Sequence, residues 1–136
     1  MKKIVLTEDN QADVDLLKLA LTEHHVSHEL SVYRDGEAAM SYAEVAGFKG
    51  HPPCPDLLVL DLGLPKVGGL EVLSRFRSNV NCIETPVIVF TSSDHPGVLT
   101  TAQRFSNVRV LKKPLNLNEF LAVGGIVKQL LDGQPN

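Results

Sequence analysis

Short apolar runs alternate with amphipathic stretches along the chain. Ile4-Val5-Leu6 lies between lysines and acids and predicts a buried strand. Asn10 then occupies a helix-cap position, with Asp13 three residues on. Val14, Leu17, Ala20 and Leu21 follow at helical spacing. Leu30, Val32 and Tyr33 predict a second strand over Glu29–Tyr33. Asp35-Gly36 opens the next helix, with Ala39, Tyr42, Ala43 and Ala46 on one face. Three prolines in the four residues Pro52–Pro55 make Gly47–Pro55 a loop. Leu57–Leu60 is wholly apolar and ends at Asp61, the clearest buried strand. Gly68-Gly69 precedes a helix built on Leu70, Val72, Leu73 and Phe76, and Pro86–Thr91 is the fourth strand. His95-Pro96 starts a helix with proline in its first turn, packing through Val98, Leu99, Ala102 and Phe105. Val108, Val110 and Leu111 form the fifth strand. Leu117, Phe120, Leu121, Val127 and Leu131 are the core face of the last helix.

Five strands thus alternate strictly with five helices. Continuously apolar strands in such an order predict a parallel sheet covered on both faces, a three-layer α/β fold. In the last helix, Gly124-Gly125 costs about 1 kcal/mol per residue relative to alanine. Val123, Ile126 and Leu130 form a second apolar stripe there. With Val110, this stripe reads either as an interface or as a wider buried face. His24 and His28 are spaced like a metal pair, but the helix ends near them and they read as surface residues. Lys66, Arg75 and Arg77 read as a solvated face.

Composition narrows the functional classes. The 136 residues are 43% hydrophobic and 21% charged, enough for one core. Residues 1–131 account for it as a single domain with a frayed tail at 132–136, and no output domain is expected. Thirteen basic against sixteen acidic residues give a net charge of −3, and no basic run is present, so nucleic acid is not an expected partner. No apolar stretch approaches the roughly 18 residues of a membrane span, and the N-terminus lacks the apolar core of a signal peptide. Cys54 and Cys82 form no CxxC motif and suggest neither a disulfide framework nor a zinc site. The expected setting is a reducing cytoplasm.

The chemistry gathers where the strands end. Ligands of doubly wound sheets bind at the carboxyl ends of the strands. Here those ends carry Thr7-Glu8-Asp9, Asp61, Thr91-Ser92-Ser93 and Lys112-Lys113-Pro114. If the first and third strands are neighbours, three carboxylates converge. Two carboxylates about 4 Å apart repel by roughly 4 kcal/mol at an effective dielectric near 20, and a divalent cation relieves this. Few, hard oxygen ligands suit Mg²⁺. Lys113 and Thr91 can hold an anionic oxygen opposite, which makes the arrangement suitable for a phosphoryl group, with Asp61 as acceptor. A flavin site would need a glycine- and hydroxyl-rich loop after the first strand, where Glu8-Asp9 would repel its phosphate. No GxGxxG or GxxxxGK[ST] motif occurs.

These residues, with Leu64-Pro65 and Gly69 after Asp61, resemble the receiver domain of two-component response regulators from Lys2 to about Leu131. The resemblance implies a flavodoxin-like fold, strand order 2-1-3-4-5, and phosphoryl transfer from a sensor histidine kinase to Asp61. It implies Mg²⁺ held by Asp9, Asp61 and the Gly63 carbonyl, with Glu8 acting mainly through water. Lys113 would contact the phosphoryl group, and the Lys113-Pro114 bond would be cis. Thr91 would report occupancy, and Ser92 would leave access to Asp61. Signalling would run through a downstream protein or phosphotransfer domain, with a homodimer through the fourth helix, fifth strand and fifth helix as a further expectation. Phe48–Pro53 resembles single-domain regulators partnered with bacterial phytochrome kinases; otherwise it is a surface insertion. Two departures bear on the switch and on phosphoryl lifetime. Val110 stands where an aromatic is frequent, and Gly63 and Ser93 are small beside the path of the hydrolytic water. They leave a receiver-like interaction module without phosphorylation as the competing reading.

Overall fold

The computed structural model describes residues 1–92 and 95–133. Its elements are β1 (Lys2–Thr7), α1 (Gln11–Glu23), β2 (His28–Tyr33), α2 (Gly36–Val45), β3 (Leu57–Leu60), α3 (Gly69–Ser78), β4 (Val87–Thr91), α4 (Pro96–Gln103), β5 (Val108–Lys112) and α5 (Leu117–Asp132). All strands are parallel in the order β2-β1-β3-β4-β5. The three-layer flavodoxin-like arrangement is therefore present. β2 begins one residue earlier than the apolar pattern predicts.

The period of two in the strands sorts side chains into two cores. Ile4, Leu6, Leu57, Val59, Ile88 and Phe90 pack under α1 and α5. Val5, Leu58, Leu60, Val87 and Val89 pack under α2, α3 and α4. Helix starts follow local chemistry. Asn10, Asp35 and Asn116 each accept a hydrogen bond from the backbone N–H three residues on. Leu117, predicted to be in the core, lies in the first turn of α5 and is 53% exposed, because that turn precedes the helix's contact with α1. Val123 belongs to the core and Leu130 packs against it, so much of the second apolar stripe is buried face.

Gly124 explains why α5 tolerates its glycine pair. A Cβ there would lie 2.2 Å from the Ala20 carbonyl oxygen of α1, whereas one at Gly125 would meet only the His24 ring, 3.2 Å away. His24 sits in this helix crossing and His28 bonds the Val26 carbonyl oxygen through its ring. Gly124→Ala is expected to destabilise by about 2 kcal/mol, through overpacking. Gly125→Ala is expected to stabilise by up to about 1 kcal/mol, since the ring can turn aside and helix propensity improves. Urea unfolding of the two variants distinguishes these opposite signs.

Two expectations about surface and cysteine chemistry are corrected. Lys66 and Arg75 are solvated, but Arg77 is not: its guanidinium donates to the carbonyl oxygens of Ser106, Cys82, Thr85 and Asn107. It ties the end of α3 to the loops entering β4 and β5. Cys54 and Cys82 form a disulfide, with Cα atoms 5.6 Å apart. The fold closes the 28-residue separation by laying the Gly47–Pro55 loop against the turn after α3. There Gly47 adopts φ +82, its N–H bonds Pro52, and Asn79 donates to the carbonyls of Ala43 and Ala46.

Candidate functional site

β1 and β3 are direct neighbours, with Thr7 opposite Leu60, so the residues that follow them emerge side by side. The Asp61 N–H bonds the Thr7 carbonyl at 3.2 Å, and the Glu8 N–H bonds that of Tyr33 at 3.0 Å. Glu8 and Asp61 are buried and Asp9 is exposed. One carboxylate oxygen from each lies within 4.8 Å of the others. On the far side, Lys113 follows β5, its N–H donating to the Thr91 carbonyl at 2.9 Å. Its ammonium contacts Glu8 Oε1, Asp13 Oδ2 at 2.8 Å and Asp61 Oδ2 at 3.2 Å.

The surrounding backbone is held close by glycines where side chains would collide. A Cβ on Gly69 would lie 2.5 Å from the Asp61 carbonyl oxygen, and one on Gly36 would overlap the Val67 carbonyl. The Gly36 N–H bonds Pro65 and the Gly69 N–H bonds Leu62. The segment after Asp61 is thus pinned between the starts of α2 and α3. The Gly63 N–H donates to Asp61 Oδ1 at 3.0 Å, and a Cβ at this residue would stand 3.6 Å from that oxygen. A Cβ here would thus stand in ordinary contact with the carboxylate.

Electrostatics fit a cation. Burial lifts the Glu8 carboxyl to about 7; the hydrogen bond from Lys113 opposes the rise and the charge of Asp61 adds to it. Burial alone would depress Lys113, but its bonds to Asp13 and Glu8 outweigh that and hold it above the usual lysine value. One ammonium cannot neutralise Glu8, Asp9, Asp13 and Asp61 together. Hard oxygen donors, one open to solvent, suit a divalent ion that keeps several waters. Because Glu8 must release its proton to serve a cation, Mg²⁺ affinity is expected to fall about tenfold from pH 8 to pH 6. Calorimetric titration at the two pH values measures this; equal affinities would contradict it.

The other predicted residues fall as follows. Thr91 is buried at the end of β4 and Ser92 is exposed just beyond it. Ser93 lies outside the described residues. Val110 is partly buried on the α4 side of the sheet, paired with Val89. The Lys113-Pro114 bond is trans, not cis: no cis peptide occurs among the described residues. A prolyl bond intrinsically favours trans by about 0.5–1 kcal/mol. In this conformation the Lys113 N–H still reaches Thr91 and its ammonium still reaches Asp61. Asp13 was legible only as a helix-start residue; its contact with Lys113 spans 100 positions and has no local signal.

An acid pair after β1, an acid after β3 and a lysine after β5, on this strand order, are the marks of a receiver. Residues 4–123 match the response regulator receiver domain, and the chain belongs to that family. Among its relatives is the response regulator Rcp1 of Synechocystis sp., 36% identical over 126 residues, covering 92% of this chain and 86% of the relative. The crystal structure of Mn²⁺-bound Rcp1 superposes with a TM-score of 0.85 at 33% identity, covering 99% of this chain and 98% of that one. The phosphorylated cyanobacterial phytochrome response regulator RcpA gives 0.84 at 31% identity, covering 99% and 96%. The bacteriophytochrome response regulator AtBRR gives 0.73 at 32%, covering 100% and 96%.

Proposed function

We propose that the protein is a phosphoacceptor signalling protein: Asp61 takes a phosphoryl group from the phosphohistidine of a sensor kinase. The observation that carries this is the buried Glu8–Asp61 pair with Asp9 beside it and the Lys113 ammonium on Asp61. A carboxylate oxygen of Asp61 forms the new P–O bond while the P–N bond of the donor breaks, and the imidazole leaves. Asp9, Asp61 and the Gly63 carbonyl would hold Mg²⁺ directly and Glu8 would act through water. The ion supplies charge neutralisation for the transferring group. Lys113 meets the phosphoryl oxygens from the other side. Thr91 turns its hydroxyl toward the phosphorylated group, and Ser92 leaves the approach open.

With Val110 in place of an aromatic switch residue, the response rests on Thr91 and the loop after it. The likeness to Rcp1, RcpA and AtBRR supports a phytochrome-type kinase as donor. Residues 1–131 act as the receiver, working in the cytoplasm and signalling to a downstream protein or phosphotransfer domain. A homodimer through α4, β5 and α5 is part of the same reading. Leu115 and Leu117, exposed where β5 leads into α5, support it.

Incubation with Mg²⁺ and a small phosphodonor, followed by intact mass measurement, is expected to give one phosphate adduct. Asp61→Asn is expected to abolish it. No adduct with any donor or kinase would leave the receiver-like interaction module as the better reading.

A further inference from the structure

Asp13 touches Lys113 but lies outside the Glu8–Asp9–Asp61 cluster. It is the third residue of α1, whose cap is Asn10. An acidic side chain at that place commonly turns back to the N–H of the cap residue. Here that N–H donates instead to Glu8 Oε2 at 3.3 Å, and Asp13 Oδ2 accepts from Lys113 Nζ at 2.8 Å. The Asp13 side chain is only 23% exposed and that of Lys113 10%, so the pair is not a solvated surface contact.

The geometry accounts for every proton of the ammonium. Lysine has three N–H donors, and Lys113 uses them on Glu8, Asp13 and Asp61. Glu8 and Asp61 are also the oxygens that a divalent cation would need. Asp13 holds the remaining proton of the ammonium from outside that cluster, and so fixes its direction of approach to Asp61.

We propose that Asp13 is a positioning residue for phosphoryl transfer. It anchors the Lys113 ammonium beside Asp61, where charge develops on the transferring phosphoryl oxygens. The inference rests on Asp61 being the acceptor. The transfer itself is unchanged: the P–O bond to Asp61 forms as the donor's P–N bond breaks, and the departing nitrogen leaves with its electron pair. Neither Asp13 nor Lys113 gives up a proton.

The test is a double-mutant cycle on the full chain, using phosphoramidate as donor at saturating Mg²⁺ and reading the rate of adduct formation by intact mass. Asp13→Ala is expected to slow the rate at saturating donor about tenfold, with the donor KM within twofold of wild type. Asp13→Asn, which keeps an acceptor oxygen, is expected to retain most of the rate. In a Lys113→Ala background, removing Asp13 is expected to change the rate less than twofold. A rate within twofold of wild type for Asp13→Ala would overturn the proposal. So would the same proportional loss in both backgrounds. If Lys113→Ala takes up no phosphate, the asparagine variant decides: a loss as large as alanine's overturns the proposal. Unfolding midpoints separate a weakened α1 start, which lowers stability without slowing a folded protein. An unphosphorylated wild type would instead refute Asp61 as the acceptor.

Discussion

Lys113→Met is expected to destabilise the metal-free protein by about 3 kcal/mol at pH 8, and to raise its affinity for Mg²⁺. Removing one member of a buried ion pair typically costs about 3–5 kcal/mol, because the partner is left buried and uncompensated. Here the abandoned side chains of Glu8 and Asp61 are 2% and 10% exposed. Methionine fills nearly the same volume, so packing adds little to the loss. Glu8 limits the damage by holding a proton. Its carboxyl sits near 7 with Lys113 present, and losing the ammonium raises it further. A carboxyl raised in the folded state binds a proton that the unfolded chain releases near 4.5, so its contribution is present at low pH and lost as pH rises through the folded value. The deficit is therefore greatest at pH 8 and shrinks toward pH 6. The cation effect has the opposite sign, because the competing ammonium has gone from Asp61 and Glu8, and Mg²⁺ then displaces only the proton that Glu8 takes up. Urea unfolding at both pH values in chelator, with calorimetric Mg²⁺ titration, measures both effects. A variant as stable as wild type at pH 8 would mean that the ammonium does not hold the acids together.

The parts of this site that could be read from the chain share one property: each sits at the end of an apolar run. Leu57–Leu60 leading to Asp61, and Ile4–Leu6 leading to Glu8 and Asp9, mark both the strands and the edge where they end. The parallel order then brings the acids together without further information. What escaped was fixed by contacts between distant segments. Arg77 looks like any charged helix residue until the loops at Ser106–Asn107 and Cys82–Thr85 close around it. Asp13 carries the local signal of a helix start, and its second role depends on a lysine from the other end of the chain. The prolyl bond after Lys113 has no sequence signal beyond the proline itself, and the cis expectation came from resemblance alone. The cysteine pair is of the same kind, since spacing without a CxxC says nothing about which loops will meet.

That pair leads to the second large effect. Reducing the Cys54–Cys82 bridge is expected to lower stability by about 3 kcal/mol. In the chain-entropy account, a cross-link stabilises by restricting the unfolded chain, and a loop set by a separation of 28 residues corresponds to about 3–4 kcal/mol. The folded state offers little to offset this, because the loop retains other ties. Asn79 still bonds the end of α2, and Tyr42 Oη still donates to the Pro53 carbonyl at 3.2 Å. These contacts hold the native arrangement in the reduced protein, so the loss falls on the unfolded side of the balance. Cys82 is fully buried and its thiol would stay near the Ala46 carbonyl. Cys54→Ala is therefore the cleaner variant than any change at Cys82, which would also open a cavity. Urea unfolding with and without reductant is expected to show the drop in wild type and none in Cys54→Ala. Coincident wild-type curves would show that the bridge does not contribute. A reducing environment favours the thiol form, and its expected effect is a smaller stability with the acidic site at the opposite ends of the strands still assembled. The geometry supports this separation: the bridge lies where the chain enters β3 and β4, and Asp61 and Thr91 lie where it leaves them.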